Sequence, residues 1–96
     1  MARILVADDD RHIVTLVERT LTRADHQVVS AHTGAEALER LRNAVADLVI
    51  LDMVMPALTG IDVCRHMRMH PSLCSVPILF LTAKQDIESK IMGFEA

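Results

Sequence analysis

The chain has 96 residues, of which 51% are hydrophobic and 24% are charged, a composition typical of one globular domain rather than a disordered segment. The formal net charge of -3 provides no electrostatic basis for binding nucleic acid. No apolar stretch approaches the roughly 20 residues that a membrane-spanning helix needs, and no signal-peptide core follows Met1, so we expect a cytoplasmic protein without membrane contacts.

Short apolar runs alternate with longer amphipathic segments, which is typical of strand-helix-strand units around a parallel sheet buried on both faces. The first predicted strand covers residues 4–7, and a helix is predicted over about residues 10–24. Residues 27–32 predict a weaker strand, as an edge position tolerates. The residues that recur at helical spacing in the first helix are Ile13, Leu16, Val17, Thr20 and Leu21.

Two capping patterns predict where the next helices begin. Thr33 is followed three residues later by Glu36, so the second helix is predicted to begin near Gly34. Thr59 and Asp62 repeat this spacing ahead of the third helix. The apolar positions of these helices are Ala37, Leu38 and Leu41 in the second and Ile61, Cys64 and Met67 in the third.

The remaining runs complete an α/β pattern of four strands. Residues 48–51 predict the third strand and residues 76–81 the fourth, while Ile87, Ile91 and Phe94 mark one face of a fourth helix. Right-handed crossovers leave few topologies for such a chain. We expect a flavodoxin-like, doubly wound parallel sheet in the strand order 2-1-3-4, with ligands bound beyond the carboxyl ends of strands one and three.

Acidic residues follow the first and third strands at that edge. Asp8, Asp9 and Asp10 come directly after the first strand, and Asp52 follows the third. Converging carboxylates repel one another unless a proton or a cation relieves the repulsion, and oxygen ligands with room for water and phosphate suit Mg²⁺. Asp10 immediately precedes the first helix, so we interpret it as a helix cap.

Three motifs at ordered spacings carry a family resemblance. They are Ile-Leu-Val-Ala-Asp-Asp-Asp at residues 4–10, Leu-Asp-Met-Val-Met-Pro at residues 51–56 with Gly60 beyond, and Leu-Thr-Ala-Lys at residues 81–84. Together they resemble the receiver domain of a two-component response regulator, and the resemblance extends over residues 3–96.

The resemblance implies a role for each matching residue. Asp52 corresponds to the phosphoacceptor and also to a Mg²⁺ ligand. Asp9 corresponds to a direct Mg²⁺ ligand, Asp8 to one that holds the ion through water, and Val54 to a ligand through its backbone carbonyl. Thr82 corresponds to the hydroxyl that contacts the phosphate after phosphorylation. The implied partner is a sensor histidine kinase or a histidine phosphotransfer protein, and the implied domain is a signalling module rather than a turnover enzyme.

One departure from the family concerns the C-terminal region. Receivers continue into a fifth strand and a fifth helix, so we expect residues 1–96 to be a C-terminally incomplete receiver domain with the fifth strand absent. The lysine that reaches the phosphate in the family then has no counterpart, and Lys84 is not assigned to that role. An uncovered fourth strand would present an apolar edge, which predicts self-association through that strand.

Other functions stay open on the sequence alone. A pseudo-receiver would keep the acidic residues but act only by protein contact or dimerisation. A phosphohydrolase of the haloacid dehalogenase type also uses an aspartate nucleophile and Mg²⁺, but it needs a second acid where this chain has Val54. His66 and His70 are spaced for a transition metal, although a solvated pair is favoured. Cys64 and Cys74 lack zinc-site spacing and are interpreted as free thiols.

Overall fold

The computed structural model of the protein describes residues 1–81. Its centre is a four-stranded parallel sheet with the spatial order β2-β1-β3-β4, which confirms the predicted topology. Both central strands are buried along most of their length, as expected of a sheet covered on both faces. The strands are β1 Arg3–Ala7, β2 Gln27–Ala31, β3 Leu48–Asp52 and β4 Ile78–Leu81.

Three helices connect the strands: α1 Arg11–Arg23, α2 Gly34–Asn43 and α3 Gly60–Met69. Within residues 1–81, no helix has the length and apolar character needed to cross a membrane. The predicted fourth helix, with Ile87, Ile91 and Phe94, lies outside the described residues.

The sheet separates two apolar cores because successive side chains of a strand point to opposite faces. The larger core includes Leu5, Val49 and Leu51 and packs against α2 and α3. The smaller core is formed by Ile4, Val6 and Ile50, against which α1 packs. With one core on each face, the sheet can hold the carboxyl ends of its strands in fixed positions.

The buried face of α1 differs from the predicted one. Val14 is the buried residue of this helix, and Val17 and Leu21 pack beside the smaller core. Leu16 is 63% exposed and Ile13 37% exposed, because the stripe that faces the sheet is centred on Val14 and leaves these two positions to the side.

The buried face of α3 was also predicted only in part. Met67 is buried as expected, but Val63 rather than Ile61 accompanies it, and Ile61 is 38% exposed. Cys64 is half-buried and Cys74 is exposed, and both are free thiols.

β4 begins two residues later than predicted. The N–H of Val76 donates to the carbonyl of Leu73 (3.2 Å), so this residue still belongs to the preceding turn. Pro77 has no N–H to contribute to a strand ladder, but its carbonyl accepts a hydrogen bond from Val49 (3.0 Å). Regular strand pairing therefore starts at Ile78.

Side-chain caps fix the start of each helix at the edge of the sheet where the strands end. Asp10 caps α1 as predicted, accepting from the His12 N–H at 2.9 Å. Thr59 and Asp62 form the complete capping box predicted for α3. At α2 the structure shows half of the predicted box: Thr33 accepts from the Glu36 N–H at 3.1 Å.

The C-terminal end of α1 adopts a Schellman motif that requires a left-handed residue. Asp25 has a φ of 66°, its N–H donates to Thr22, and the N–H of His26 donates to Leu21. Glycine is the residue that occupies this position without steric cost.

We expect Asp25→Gly to raise the free energy of unfolding by about 0.5 to 1 kcal/mol, because it removes the steric cost of the positive φ. Urea denaturation monitored by circular dichroism measures the change. Asp25→Ala is the matched control and should lower stability, since alanine keeps the β-carbon and loses the carboxylate. Equal stability of the two variants would show that φ at this position is not the limiting factor.

Candidate functional site

Three carboxylates meet at the carboxyl edge of the sheet. Asp8 and Asp9 follow β1, and Asp52 is the last residue of β3. The two strands pair in parallel with Ala7 opposite Leu51, so the residues that come next emerge side by side. One carboxylate oxygen from each of the three aspartates lies within 4.8 Å of the others. The structure thus brings together the acidic residues predicted to converge.

The three carboxylates differ in burial and in hydrogen bonding. Asp8 is only 5% exposed, whereas Asp52 is half-buried and Asp9 is exposed. The N–H of Asp10 donates to Oδ1 of Asp8 at 2.9 Å. The N–H of Val54 lies 3.4 Å from Oδ1 of Asp52, a long hydrogen bond. The site therefore has one buried carboxylate, that of Asp8, and two carboxylates, those of Asp9 and Asp52, that a ligand from solvent can reach.

Burial raises the pKa of Asp8 from its usual 3.8 to about 6. The hydrogen bond from the Asp10 N–H opposes this rise by stabilising the carboxylate. The negative charge of Asp52 and hydrogen bonds with the side chains of Asp9 and Asp52 favour the protonated form. Bringing the acids together therefore has an electrostatic cost that falls mainly on the buried member.

The donor set fits Mg²⁺. This ion takes oxygen ligands at about 2.0 to 2.1 Å, keeps several waters, and binds through one or two carboxylates together with phosphate oxygens. Asp8, Asp9 and Asp52 supply the carboxylates, and the exposure of Asp9 leaves room for water. Within residues 1–81, these three aspartates lie close enough together for their carboxylates to share one metal ion.

A strained loop connects Asp52 with α3. Ala57 has a φ of 65°, and the N–H of Leu58 donates across it to the carbonyl of Pro56 at 2.8 Å, which makes this a γ-turn. The N–H of Gly60 donates to the carbonyl of Met53 at 3.1 Å and closes the loop.

Gly60 is required for space at the end of this loop. A β-carbon at Gly60 would clash with the backbone carbonyl of Asp52. The start of α3 therefore packs directly on the backbone of Asp52, as expected for a glycine that permits close helix entry.

The other predicted site residues are placed as follows. Val54 lies two residues beyond Asp52 and is 68% exposed. Thr82 and Lys84 lie outside the described residues. His66 and His70 are both exposed, and Nδ1 of His70 is 2.9 Å from the hydroxyl of Ser72.

Sequence reasoning missed one residue that bears on the site. Gly34, the first residue of α2, is buried against Leu58 of the strained loop. The sequence feature that could have revealed Gly34 is its position directly after Thr33, the residue that caps α2. Helices do not require glycine at this position, so a glycine there suggests close packing against another segment.

Comparison with known families identifies the family to which this fold and this acidic cluster belong. The model of the response regulator receiver domain matches residues 4–96. The chain belongs to the response regulator receiver family. Receiver domains are signalling modules that bind Mg²⁺ at a cluster of aspartates and interact with sensor histidine kinases, and this receiver has such a cluster in Asp8, Asp9 and Asp52.

Named relatives support the assignment. The receiver is 41% identical over 93 residues to the alkaline phosphatase synthesis transcriptional regulatory protein PhoP of Bacillus subtilis, covering 97% of this chain and 38% of the relative. It is 45% identical over 94 residues to the uncharacterized transcriptional regulatory protein YrkP of the same organism, covering 98% of this chain and 39% of the relative. The receiver thus spans about two fifths of the length of these relatives.

Solved structures share the fold of this receiver. A putative response regulator from Chloroflexus aurantiacus superposes with a TM-score of 0.87 at 37% identity, covering 98% of this chain and 77% of that chain. The chemotaxis response regulator CheY4 of Vibrio cholerae superposes with a TM-score of 0.86 at 36% identity, covering 99% of this chain and 79% of that chain.

We expect the stability of the metal-free receiver to fall as the pH rises from about 4 to about 6 through the titration of Asp8. The folded state has the higher pKa, so it holds a proton that the unfolded state loses in this window. Added Mg²⁺ should raise the melting temperature more above pH 6 than below it, because the ion competes with that proton.

The check is a series of thermal melts across this pH range, with and without Mg²⁺, on the wild type and Asp8→Asn. The difference between the two proteins isolates Asp8 from other carboxyls such as Asp62, whose pKa is held below its usual range by hydrogen bonds from Thr59. An unchanged pH profile in Asp8→Asn would show that this carboxyl does not titrate in the window.

Proposed function

We propose that the chain is a phosphoacceptor domain in which Asp52 takes a phosphoryl group from a phosphohistidine in a Mg²⁺-dependent reaction. The donor is a sensor histidine kinase or a histidine phosphotransfer protein, and the reaction takes place in the cytoplasm. The convergence of the Asp8, Asp9 and Asp52 carboxylates within 4.8 Å at the carboxyl edge of the sheet carries this proposal. The proposed function involves no contact with nucleic acid or with a membrane.

The proposed transfer needs a positioned nucleophile. An oxygen of the Asp52 carboxylate forms a bond to phosphorus while the bond from phosphorus to the imidazole nitrogen breaks, and the imidazole takes a proton from solvent. Asp52 is the half-buried last residue of β3, so the strand would hold its carboxylate in place while an oxygen remains within reach of a donor. Water later cleaves the acyl phosphate and releases inorganic phosphate, so Asp52 is regenerated.

The neighbouring residues would hold the cation. Asp9 and Asp52 are direct ligands in this proposal, the backbone carbonyl of Val54 is a third, and Asp8 acts through water. When bound, Mg²⁺ supplies positive charge that offsets the negative charge of the incoming phosphoryl group. Asp8 suits the outer position because it is the most buried of the three acids.

Readout of phosphorylation is assigned to Thr82 through the family resemblance. A phosphoryl group on Asp52 would add negative charge and acceptor oxygens, and the resemblance implies that the Thr82 hydroxyl donates to one of them. The dehalogenase-type alternative has no support, because its second acid is replaced by Val54 and the chain belongs to the receiver family.

Incubation with a small acyl-phosphate donor and Mg²⁺ should add the mass of one phosphoryl group to the wild-type chain. Asp52→Asn should abolish the gain, and Asp9→Asn should reduce it strongly at the same Mg²⁺ concentration. Asp25→Asn is the matched control, since Asp25 is an exposed aspartate at the far end of α1. Intact-protein mass spectrometry makes the measurement, and labelling that persists in Asp52→Asn would refute the assignment.

A second candidate function is a pseudo-receiver that does not phosphorylate and acts through contact with a second copy of itself. One observation favours its self-association. Leu79 of β4 is 55% exposed, although it pairs with Ile50, whose side chain lies in the smaller core. An apolar side chain on that face, beside an established core, gives a second molecule a surface to cover.

This candidate predicts a dimer whose population rises with protein concentration in light scattering and falls strongly in Leu79→Asp. Met69→Asp is the control, because Met69 is 83% exposed but lies on α3, which packs on the opposite face of the sheet. A monomer at every concentration, or an equal effect of both substitutions, would count against the dimer. A dimer combined with normal phosphorylation of Asp52 would support self-association but not the loss of phosphorylation.

A further inference from the structure

Gly34 has no room for a side chain. A β-carbon at this residue would lie 2.6 Å from the backbone oxygen of Leu58, 2.8 Å from Cβ of Leu58 and 3.0 Å from Cγ2 of Val63. Gly34 does not have a positive φ, so its backbone conformation is open to alanine. Helix propensity would also favour alanine there. The close approach of the β3–α3 loop is therefore what requires glycine.

The closest atom to this space belongs to the backbone of Leu58, so it cannot move aside by rotation of a side chain. This atom is a backbone carbonyl oxygen of the loop at residues 53–59, so the loop or α2 itself must move if Gly34 gains a side chain. The loop has little freedom to absorb a shift locally. Met55 is buried in the larger core, and the γ-turn at Ala57 and the hydrogen bond from Gly60 to Met53 constrain the rest.

The loop and the segment before α2 are both connected directly to residues of the acidic site. The loop begins directly after Asp52 and includes Val54, whose N–H lies 3.4 Å from the Asp52 carboxylate. The chain before α2 includes Ala31, whose carbonyl accepts a hydrogen bond from the N–H of Asp8 at 3.2 Å. A displacement on either side of the contact between Gly34 and Leu58 therefore changes the position of one half of the site relative to the other.

We propose that Gly34 is a positioning residue for the acidic site: its lack of a side chain lets α2 hold the Leu58 loop at the distance that Mg²⁺ binding requires. This inference rests on the proposed function, in which the three aspartates and the Val54 carbonyl bind the ion. Mg²⁺ demands nearly ideal octahedral geometry, so it is sensitive to small shifts in ligand position. Loss of a group that hydrogen-bonds to a metal ligand typically lowers metal affinity by about 10 to 100-fold, and we expect a residue that positions the ligand-bearing loop to act at the lower end of this range.

Gly34→Ala should weaken Mg²⁺ binding about tenfold, measured by isothermal titration of the whole chain with MgCl₂. It should also speed amide hydrogen exchange over residues 53–59 in the metal-free protein. Ala37→Gly is the matched control, because it removes one buried methyl group from the same helix instead of adding one. This control should lower thermal stability and leave Mg²⁺ affinity within about twofold of the wild type.

A second pair of variants keeps the test decisive if Gly34→Ala does not fold. Leu58→Gly removes one of the two closest contacts and loosens the loop, so adding Gly34→Ala to it should weaken Mg²⁺ binding less than in the wild-type background. Because the Leu58 carbonyl, the closest atom, stays in place in Leu58→Gly, the double variant should still bind Mg²⁺ more weakly than Leu58→Gly alone. If the single Gly34→Ala variant is unfolded, this comparison decides the question, and equal Mg²⁺ affinity in those two variants overturns the proposal.

The outcomes separate this inference from the proposed function. Failure of the wild type to bind Mg²⁺ overturns the proposed metal site and this inference with it. Binding by the wild type that Gly34→Ala leaves unchanged overturns the positioning role alone. Equal weakening by Gly34→Ala and Ala37→Gly also overturns it, because the effect would then follow from stability rather than from position.

Discussion

The parallel pairing of β1 with β3 is the constraint on which the site depends. The register sets Ala7 opposite Leu51, so Asp8 and Asp52 leave the sheet on adjacent strands. Neighbouring strands lie about 4.8 Å apart, which forces their carboxylates into mutual repulsion. Burial is the largest cause of the raised pKa of Asp8, about 6, and the charge of Asp52 adds to it, so the cost falls mainly on this residue in the metal-free protein. The same repulsion favours a divalent cation, so the unfavourable charge and the proposed chemistry have one origin.

The remainder of the sheet makes that cost tolerable. Leu5, Val6, Val49 and Leu51 are almost completely buried, and apolar cores cover both faces of the central strands. This burial stabilises the strands whose ends hold the acids, while the buried acid Asp8 and the γ-turn at Ala57 lie at the same edge of the sheet. Buried acid and left-handed backbone outside glycine are costly local choices, and proteins tolerate them mainly at functional sites.

The sequence was informative where short-range patterns determine the structure and uninformative where packing between distant segments does. The alternation of apolar runs with amphipathic segments predicts the strand order, and the aspartates that follow the first and third runs then predict the convergence of the three acids. The buried stripe of α1 could not be predicted, because Leu16 fits helical spacing as well as Val14 and the choice depends on how the helix rotates against the sheet. The contact of Gly34 with Leu58 joins segments far apart in the chain, so no local pattern encodes it.

In the loop after Asp52, the backbone determines the path of the chain, whereas the side chain of Val54 affects access to Asp52. Its path is fixed by the backbone through the γ-turn at Ala57 and the packing of Gly60 against the Asp52 carbonyl. The side chain of Val54, a residue that is 68% exposed, takes no part in that framework, although the N–H of this residue faces the Asp52 carboxylate. A different side chain at residue 54 would therefore alter how water or a partner approaches Asp52 while the distances among the carboxylates stay the same. Access to Asp52 can thus change without disruption of the acidic cluster.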